Sequence, residues 1–474
     1  MEDIIARLFE VFSASHTVTT DSRAITPGCI FFAFKGERFD GNAFAPKALE
    51  LGAALCVLSD SRYAVDDRCI VVPDVLACLQ ELARVYRRHL SIPFVAITGT
   101  NGKTTTKELV HAVLARRYRT SATVGNFNNH LGVPLTILSI PPDTEIAIVE
   151  MGANHPGEIA QLCGIADPDY GLITNVGRAH LEGFGSFEGV IQTKTELYRH
   201  LALKHGTVFV NADNDILVEQ AERLALRPGI GGLPVPFSDG YTVKAHDIDK
   251  HPLSLVTYGR DASAAIRGTY VGSDPFMHFY FECGDNVYNV RSSLLGDYNF
   301  DNAMAAVAVG SFFGVEPFDI KLAIEDYRPG NRRSQFKDTG RNSLYLDCYN
   351  ANPSSMAAAI SSFKCLNVSI KQPNTVGRAD GTPRKMAIIG GMHELGADER
   401  TEHERLVEQL ASCGLEMCLL VGHEFDGIPL KPYMHLFPDT PSLRSWLVAN
   451  PISDATILVK GSNTNRLWEL EELL

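Results

Sequence analysis

The residues best suited to chemistry lie in one short stretch, Thr98-Gly99-Thr100-Asn101-Gly102-Lys103-Thr104-Thr105-Thr106. Glycines at 99 and 102 let backbone N–H groups approach phosphate oxygens. A helix beginning just beyond them points the positive end of its dipole at the same place. Lys103 is positioned to reach β- and γ-phosphates, and the Thr104 hydroxyl to ligate Mg2+. A strict phosphate loop has one more glycine, five residues before the second, but position 97 is Ile. The context still fits. Residues 92–97 form a continuous apolar strand, and Leu109, Val113 and Leu114 share one face of a helix over 104–117.

A second cluster lies downstream. Glu150 ends an apolar strand at 146–149, and His180 follows another at 171–176. In an open parallel sheet, ligands bind at the carboxyl ends of strands. The loop, Glu150 and His180 all fall at such ends, so they converge on one nucleotide–metal site. Oxygen donors suit Mg2+, and a neutral imidazole can join them. Lys194, on its residues alone, reads as a lysine on a helix surface. The segment Asp347-Cys348-Tyr349-Asn350-Ala351-Asn352-Pro353 follows a further apolar strand and precedes a helical run at 354–363. Its Asp and Asn side chains suit ribose hydroxyls or a substrate amine, and equally an ordinary turn. His393-Glu394 and His403-Glu404 open like a zinc-protease helix. Positions 397 and 407 are Ala and Val, which excludes that chemistry.

Three α/β blocks must position these residues. The first, 1–90, holds a strand-like run at 28–34 and a helix-to-strand passage across 49–58. The second, 91–327, alternates strands with helices, which predicts a mostly parallel sheet covered on both faces. The third, 328–474, begins at the breaker Arg328-Pro329-Gly330-Asn331. It has candidate strands at 344–346, 386–389, 419–421 and 457–459, a helix at 401–410 and a surface loop at 372–384. It reads as a doubly wound, Rossmann-like domain.

The 474 residues suit about three domains. Hydrophobic residues at 45% and charged residues at 21% suit a soluble globular chain and exclude fibrous, disordered and membrane classes. Lys and Arg total 43 against 56 Asp and Glu, and the net charge of −13 argues against nucleic acid or anionic membranes as partners. The start Met1-Glu2-Asp3 lacks the basic opening of a secretory signal, and no apolar run nears the roughly 20 residues that span a bilayer. Ten cysteines without a CxxC pair predict reduced thiols in a cytoplasm. A monomer is the default expectation.

Taken together, these residues resemble the Mur ligase family, cytoplasmic enzymes that build the peptide stem of peptidoglycan. The short loop 99–105 is similar to that family's ATP loop, and Glu150, His180 and Lys194 occur in the family's order. The resemblance implies two Mg2+ sites held by Thr104, Glu150, His180 and a carbamylated Lys194. It implies ATP contacts from Thr98 to Thr105 and from Asn299, Asn302, Arg333, Asp347, Tyr349 and Asn350. Substrate contacts are implied at Ser22, Arg23, Asn126, Asn129, Asn352 and Lys460.

Within the family, Tyr349-Asn350-Ala351-Asn352-Pro353 resembles the member that joins D-alanyl-D-alanine to UDP-N-acetylmuramoyl-tripeptide through an acyl phosphate. Thr20-Asp21-Ser22-Arg23 and the segment 36–41 look like its UDP-binding part, and 125–134 like the loop facing the muramoyl group. Three positions depart from the family pattern. Tyr298 replaces a His, the interdomain Arg is doubled at Arg332-Arg333, and Asn463 stands where an Arg is usual, with Arg466 nearby as a substitute. Without the resemblance, a P-loop ATPase that switches a partner by hydrolysis stays open.

Overall fold

The computed structural model of the chain describes residues 2–36, 39–225, 253–273, 275–330, 332–366 and 384–474. The strands fall into three sheets that follow one another along the chain. The expected surface loop at 372–384 lies, except for Arg384, outside the described residues. So do Glu37 and Arg38 of the 36–41 segment and Asn331 of the breaker.

The first sheet has four parallel strands, Val18–Thr19, Ile30–Phe32, Leu55–Leu58 and Cys69–Val71, in chain order. Side chains of a strand alternate between faces. Ile30, Phe32 and Val57 therefore pack with Phe12 of the helix Glu2–Ser15 and Leu79 of the helix Val75–His89. Phe31, Cys56 and Leu58 face the other way, onto Ala45 and Ala48.

The central sheet has nine strands, and Phe94–Thr98 lies inside it between Ile146–Glu150 and Tyr170–Ile173. Phe94 and Ala96 enter a core shared with the first sheet, whereas Val95 and Ile97 enter the opposite one. Leu109, Val113 and Leu114 of the helix Lys103–Leu114 are fully buried there, against the almost wholly buried helix Asn299–Phe312. After Phe94–Thr98 the chain builds one side of the sheet, through Ile146–Glu150, and then crosses to the other. That reversal leaves a crevice at the strands' carboxyl ends.

The sheet is parallel as far as Ile266–Ser273. The strands Phe276–Cys283 and Asn286–Leu295 then extend it as an antiparallel ribbon. Sequence reading did not single out this ribbon. Its mark is alternation, with Met277, Phe279 and Phe281 buried between half-buried neighbours, the pattern of a sheet covered on one face.

The third sheet runs Gln335–Asp338, Ser343–Asp347, Thr456–Lys460, Lys385–Gly390, Met417–Val421 and Met434–Phe437. Only its first pair is antiparallel. The strand Thr456–Lys460 is buried throughout, as a parallel strand covered on both faces must be. Among the described residues no helix is long and apolar enough to cross a membrane. All ten cysteines are free thiols.

Candidate active site

The crevice of the central sheet and the carboxyl ends of the third sheet enclose a cleft of about 620 Å³. Thr100 to Thr105, Asn126, Asn129, Glu150, His180, Asn299, Asn302, Arg333, Asp347, Tyr349, Asn350 and Lys460 line it.

The loop owes its shape to two glycines. Gly99 has φ +141°, and a Cβ there would lie 2.0 Å from Thr174 Oγ1. Gly102 has φ +79°, and a Cβ there would meet Asn302 Oδ1 at 2.4 Å. Gly102 caps the helix Lys103–Leu114 without a side chain, so the first-turn N–H groups have no side-chain acceptor. Such a terminus attracts anions. Lys103 Nζ donates to the carbonyls of Gly99 at 2.7 Å and Thr100 at 2.9 Å. Desolvation in the cleft pulls it down to about 8, with Glu150 opposing that shift and Arg333 adding to it.

Glu150 is buried. Its Oε1 accepts from Asn128 Nδ2 at 2.8 Å, and its backbone N–H donates to Thr123 Oγ1 at 2.9 Å. The other oxygen, Oε2, is buried with no hydrogen-bond partner. A bare carboxylate oxygen in a protein interior is costly unless a cation or donor arrives. The Thr104 hydroxyl is buried at the same cleft. His180 lines it too, with Nδ1 hydrogen-bonded to Glu394 Oε2. Burial pulls the His180 imidazole below its ordinary value, against the pull of Glu394.

Lys194 is not the surface lysine its residues suggested. It is 2% exposed, and its Nζ donates to Ala153 O at 3.2 Å and lies 5.3 Å from the Phe184 ring centre. Burial first, and repulsion from Lys103 second, bring it down to about 7. An amine pushed that low is substantially neutral and nucleophilic near neutral pH. Among the described residues no three His, Cys, Asp or Glu side chains cluster as a metal cage. The donors lining the cleft include the Thr104 hydroxyl, the Glu150 carboxylate with its unpartnered Oε2, and the His180 imidazole. That set suits Mg2+ completed by phosphate oxygens and waters.

The third sheet supplies the opposite wall. Arg333 lies 3.8 Å over the Tyr349 ring and lines the cleft, whereas Arg332 turns to Trp468. Lys460 is buried and donates to Asp347 Oδ2 at 2.6 Å. Asn352 caps the helix Pro353–Cys365 and reaches across to Asn101.

Asn299 and Asn302 form a buried relay. Asn302 Nδ2 donates to Asn299 Oδ1, and Asn302 Oδ1 accepts from Thr106. Tyr298 is half-buried and lines the cleft, its hydroxyl bonded to Ser334 Oγ and Tyr345 Oη.

Some expected residues stand elsewhere. Thr98 turns its hydroxyl to Met151 O at 2.7 Å, and Thr98, Gly99, Lys194 and Asn352 do not line the cleft. Ser22 and Arg23 belong to the first sheet's loops and do not line it either. Arg23 is exposed and paired with Asp21 at 2.8 Å. Arg466 pairs with Glu469. Sequence reading passed over Asn128, which holds Glu150, and Glu394, which holds His180. Asn128 sits inside the Asn-rich 125–134 segment, and that is the one trace it left.

Residues 97–229 match the family model described as the Mur ligase middle domain, and residues 14–87 the one described as the Mur ligase family catalytic domain. The UDP-N-acetylmuramoyl-tripeptide–D-alanyl-D-alanine ligase of Bacillus subtilis is 35% identical over 392 residues, 82% of this chain and 76% of that protein. The chain belongs to the Mur ligase family. Its likeness to the ligase of the same name from Escherichia coli is 32% over 461 residues, 96% of this Mur ligase and 93% of that one. The crystal structure of a MurF ligase from Thermotoga maritima in complex with ADP superposes with a TM-score of 0.78 at 25% identity, covering all of this Mur ligase and 98% of that chain.

Proposed function

We infer that the chain is an ATP-dependent ligase joining D-alanyl-D-alanine to UDP-N-acetylmuramoyl-tripeptide in peptidoglycan precursor synthesis. The observation that carries this reading is the single cleft in which a phosphate loop faces a second wall of Arg333, Asp347, Tyr349 and Lys460. The likeness to curated ligases over most of the chain supplies the substrates.

The terminal carboxylate of the tripeptide attacks the γ-phosphate of ATP, forming an acyl phosphate and releasing ADP. The amine of the dipeptide then attacks the acyl carbon, and phosphate leaves. Two anions must meet in the first step, so cations must gather around them. Lys103, Arg333 and Lys460 are cations of the chain at the cleft, Lys460 being paired with Asp347. Mg2+ bound by Thr104, Glu150 and His180 would neutralise phosphate charge there. Lys194, carbamylated, would add a carboxylate-like ligand, in keeping with its burial beside Ala153. Asn126 and Asn129 face the muramoyl group, and Ser22 and Arg23 contact the UDP.

The three sheets correspond to three domains, 1–90 for the UDP-sugar, 91–327 for ATP and 328–474 for closure. Closure excludes water, which would hydrolyse the acyl phosphate. The protein acts as a cytoplasmic monomer.

Phosphate release in ATP and Mg2+, with the two substrates added separately and together, tests the reading. Release only with both, with a product heavier by one dipeptide less water, is the expected result. Release with neither substrate would instead indicate an ATPase that switches a partner.

A further inference from the structure

We propose that Glu394 is a positioning residue for His180, tying metal binding on the central sheet to closure of the third. The proposal rests on the metal role given to His180 above. Glu394 belongs to the loop after Lys385–Gly390, and His180 to the loop after Tyr170–Ile173. They lie 214 positions apart in the chain, yet Glu394 Oε2 is hydrogen-bonded to His180 Nδ1. Both residues have left-handed backbones, φ +62° and +51°, which side-chain-bearing residues rarely adopt. Such conformations persist where the surroundings over-determine them, and they cluster at functional sites.

The loop carrying Glu394 is built to hold it in place. Met392 N–H donates to Nε2 of the fully buried His403 at 3.0 Å, and His403 Nδ1 is bonded to Glu399 O at 2.7 Å. His393 pairs with Glu424 at 3.1 Å. Two residues beyond Glu394, a Cβ on Gly396 would lie 3.6 Å from Glu182 Cβ. The loop therefore rests on the short helix Leu181–Phe184 that follows His180 directly.

An ionised carboxylate only accepts hydrogen bonds, so the proton stays on Nδ1 and the lone pair on Nε2. His180 lines the cleft. A histidine fixed in this way by its other nitrogen is the usual arrangement behind a metal-ligating imidazole. Here the fixing group arrives from the third sheet. With the sheets apart, His180 loses its partner, and either nitrogen can carry the proton. Metal affinity and closure then strengthen each other by the same factor, as linkage requires.

The test uses the full chain, Mn2+ as probe, a non-hydrolysable ATP analogue and UDP-N-acetylmuramoyl-tripeptide. Electron paramagnetic resonance reads the Mn2+ affinity and the nitrogen coupling from the bound imidazole, with His180→Gln as the reference lacking that imidazole. Glu394→Ala is expected to weaken Mn2+ by on the order of 10- to 100-fold and to alter the nitrogen coupling. Glu394→Gln keeps an oxygen that accepts from Nδ1–H and is expected to recover most of both. The Glu394 side chain is 55% exposed, so neither change empties a core. Alanine binding Mn2+ like the wild type with the same coupling overturns the proposal, as does glutamine as weak as alanine. A wild type with no nitrogen coupling overturns the metal role of His180 and this proposal together.

Discussion

The side-chain amides of Asn101 and Asn352 hydrogen-bond to each other in both directions. Asn352 Nδ2 donates to Asn101 Oδ1 at 2.8 Å, and Asn101 Nδ2 donates back to Asn352 Oδ1 at 3.4 Å. The pair spans 251 positions and joins the phosphate loop to the first turn of the helix Pro353–Cys365. The same Asn352 oxygen accepts from Ser355 N–H at 2.9 Å, so one residue both caps a helix and bridges two sheets.

Those two roles can be separated. Asn352→Ala should lower thermal stability by about 1 kcal/mol through the lost cap, and Asn101→Ala should leave that cap intact. Both should raise the KM for ATP several-fold. A double-mutant cycle on ATP affinity should show a coupling of roughly 0.5–1.5 kcal/mol. Strict additivity would mean that the bridge contributes nothing.

Lys103 places a cation among loop carbonyls at the cleft. Lys103→Ala should reduce ATP turnover by on the order of 10²- to 10³-fold with an unchanged far-ultraviolet spectrum. Near-normal turnover would show that another cation meets the γ-phosphate.

Lys194 is buried with a single carbonyl acceptor. Lys194→Ala should lower turnover at least about 10²-fold, and a short carboxylic acid should restore part of it by filling the vacated ligand position. Bicarbonate depletion should lower the wild type's activity as well. Full activity in the alanine variant would return Lys194 to a packing role.

Gly102 combines a positive φ with close contact to Asn302. Gly102→Ala should cost roughly 1–3 kcal/mol, read from the urea midpoint, and should weaken ATP binding by displacing Asn302. A variant as stable as wild type would show that the loop has a second conformation that accepts a side chain.

Much of this was legible in the chain. The strand Phe94–Thr98, the loop and the helix Lys103–Leu114 follow from three local features that agree: an apolar run, paired glycines and a recurring apolar face. Thr98 shows where local reading stops. It shares strand parity with Phe94 and Ala96, so its hydroxyl turns to Met151 although it borders the loop.

Burial of Lys194 had no local mark, because the covered face of its helix, Phe187–Lys194, includes Thr193 beside Val190 and Ile191 and so forms no clear apolar stripe. Family resemblance alone pointed to it. Glu394 was harder still. Its dipeptide His393-Glu394 suggested a zinc motif, and excluding that motif left the glutamate without a role. Its actual neighbour, His180, is set by how two sheets dock, which no short window of sequence contains.

The Tyr298 hydroxyl, shared with Ser334 and Tyr345, joins the start of the helix Asn299–Phe312 to the third sheet beside the crossing of the chain. Such a joint would serve as a fulcrum if the third sheet swings open. Tyr298→Phe, which removes the shared hydroxyl, is then expected to change how fast a finished product escapes.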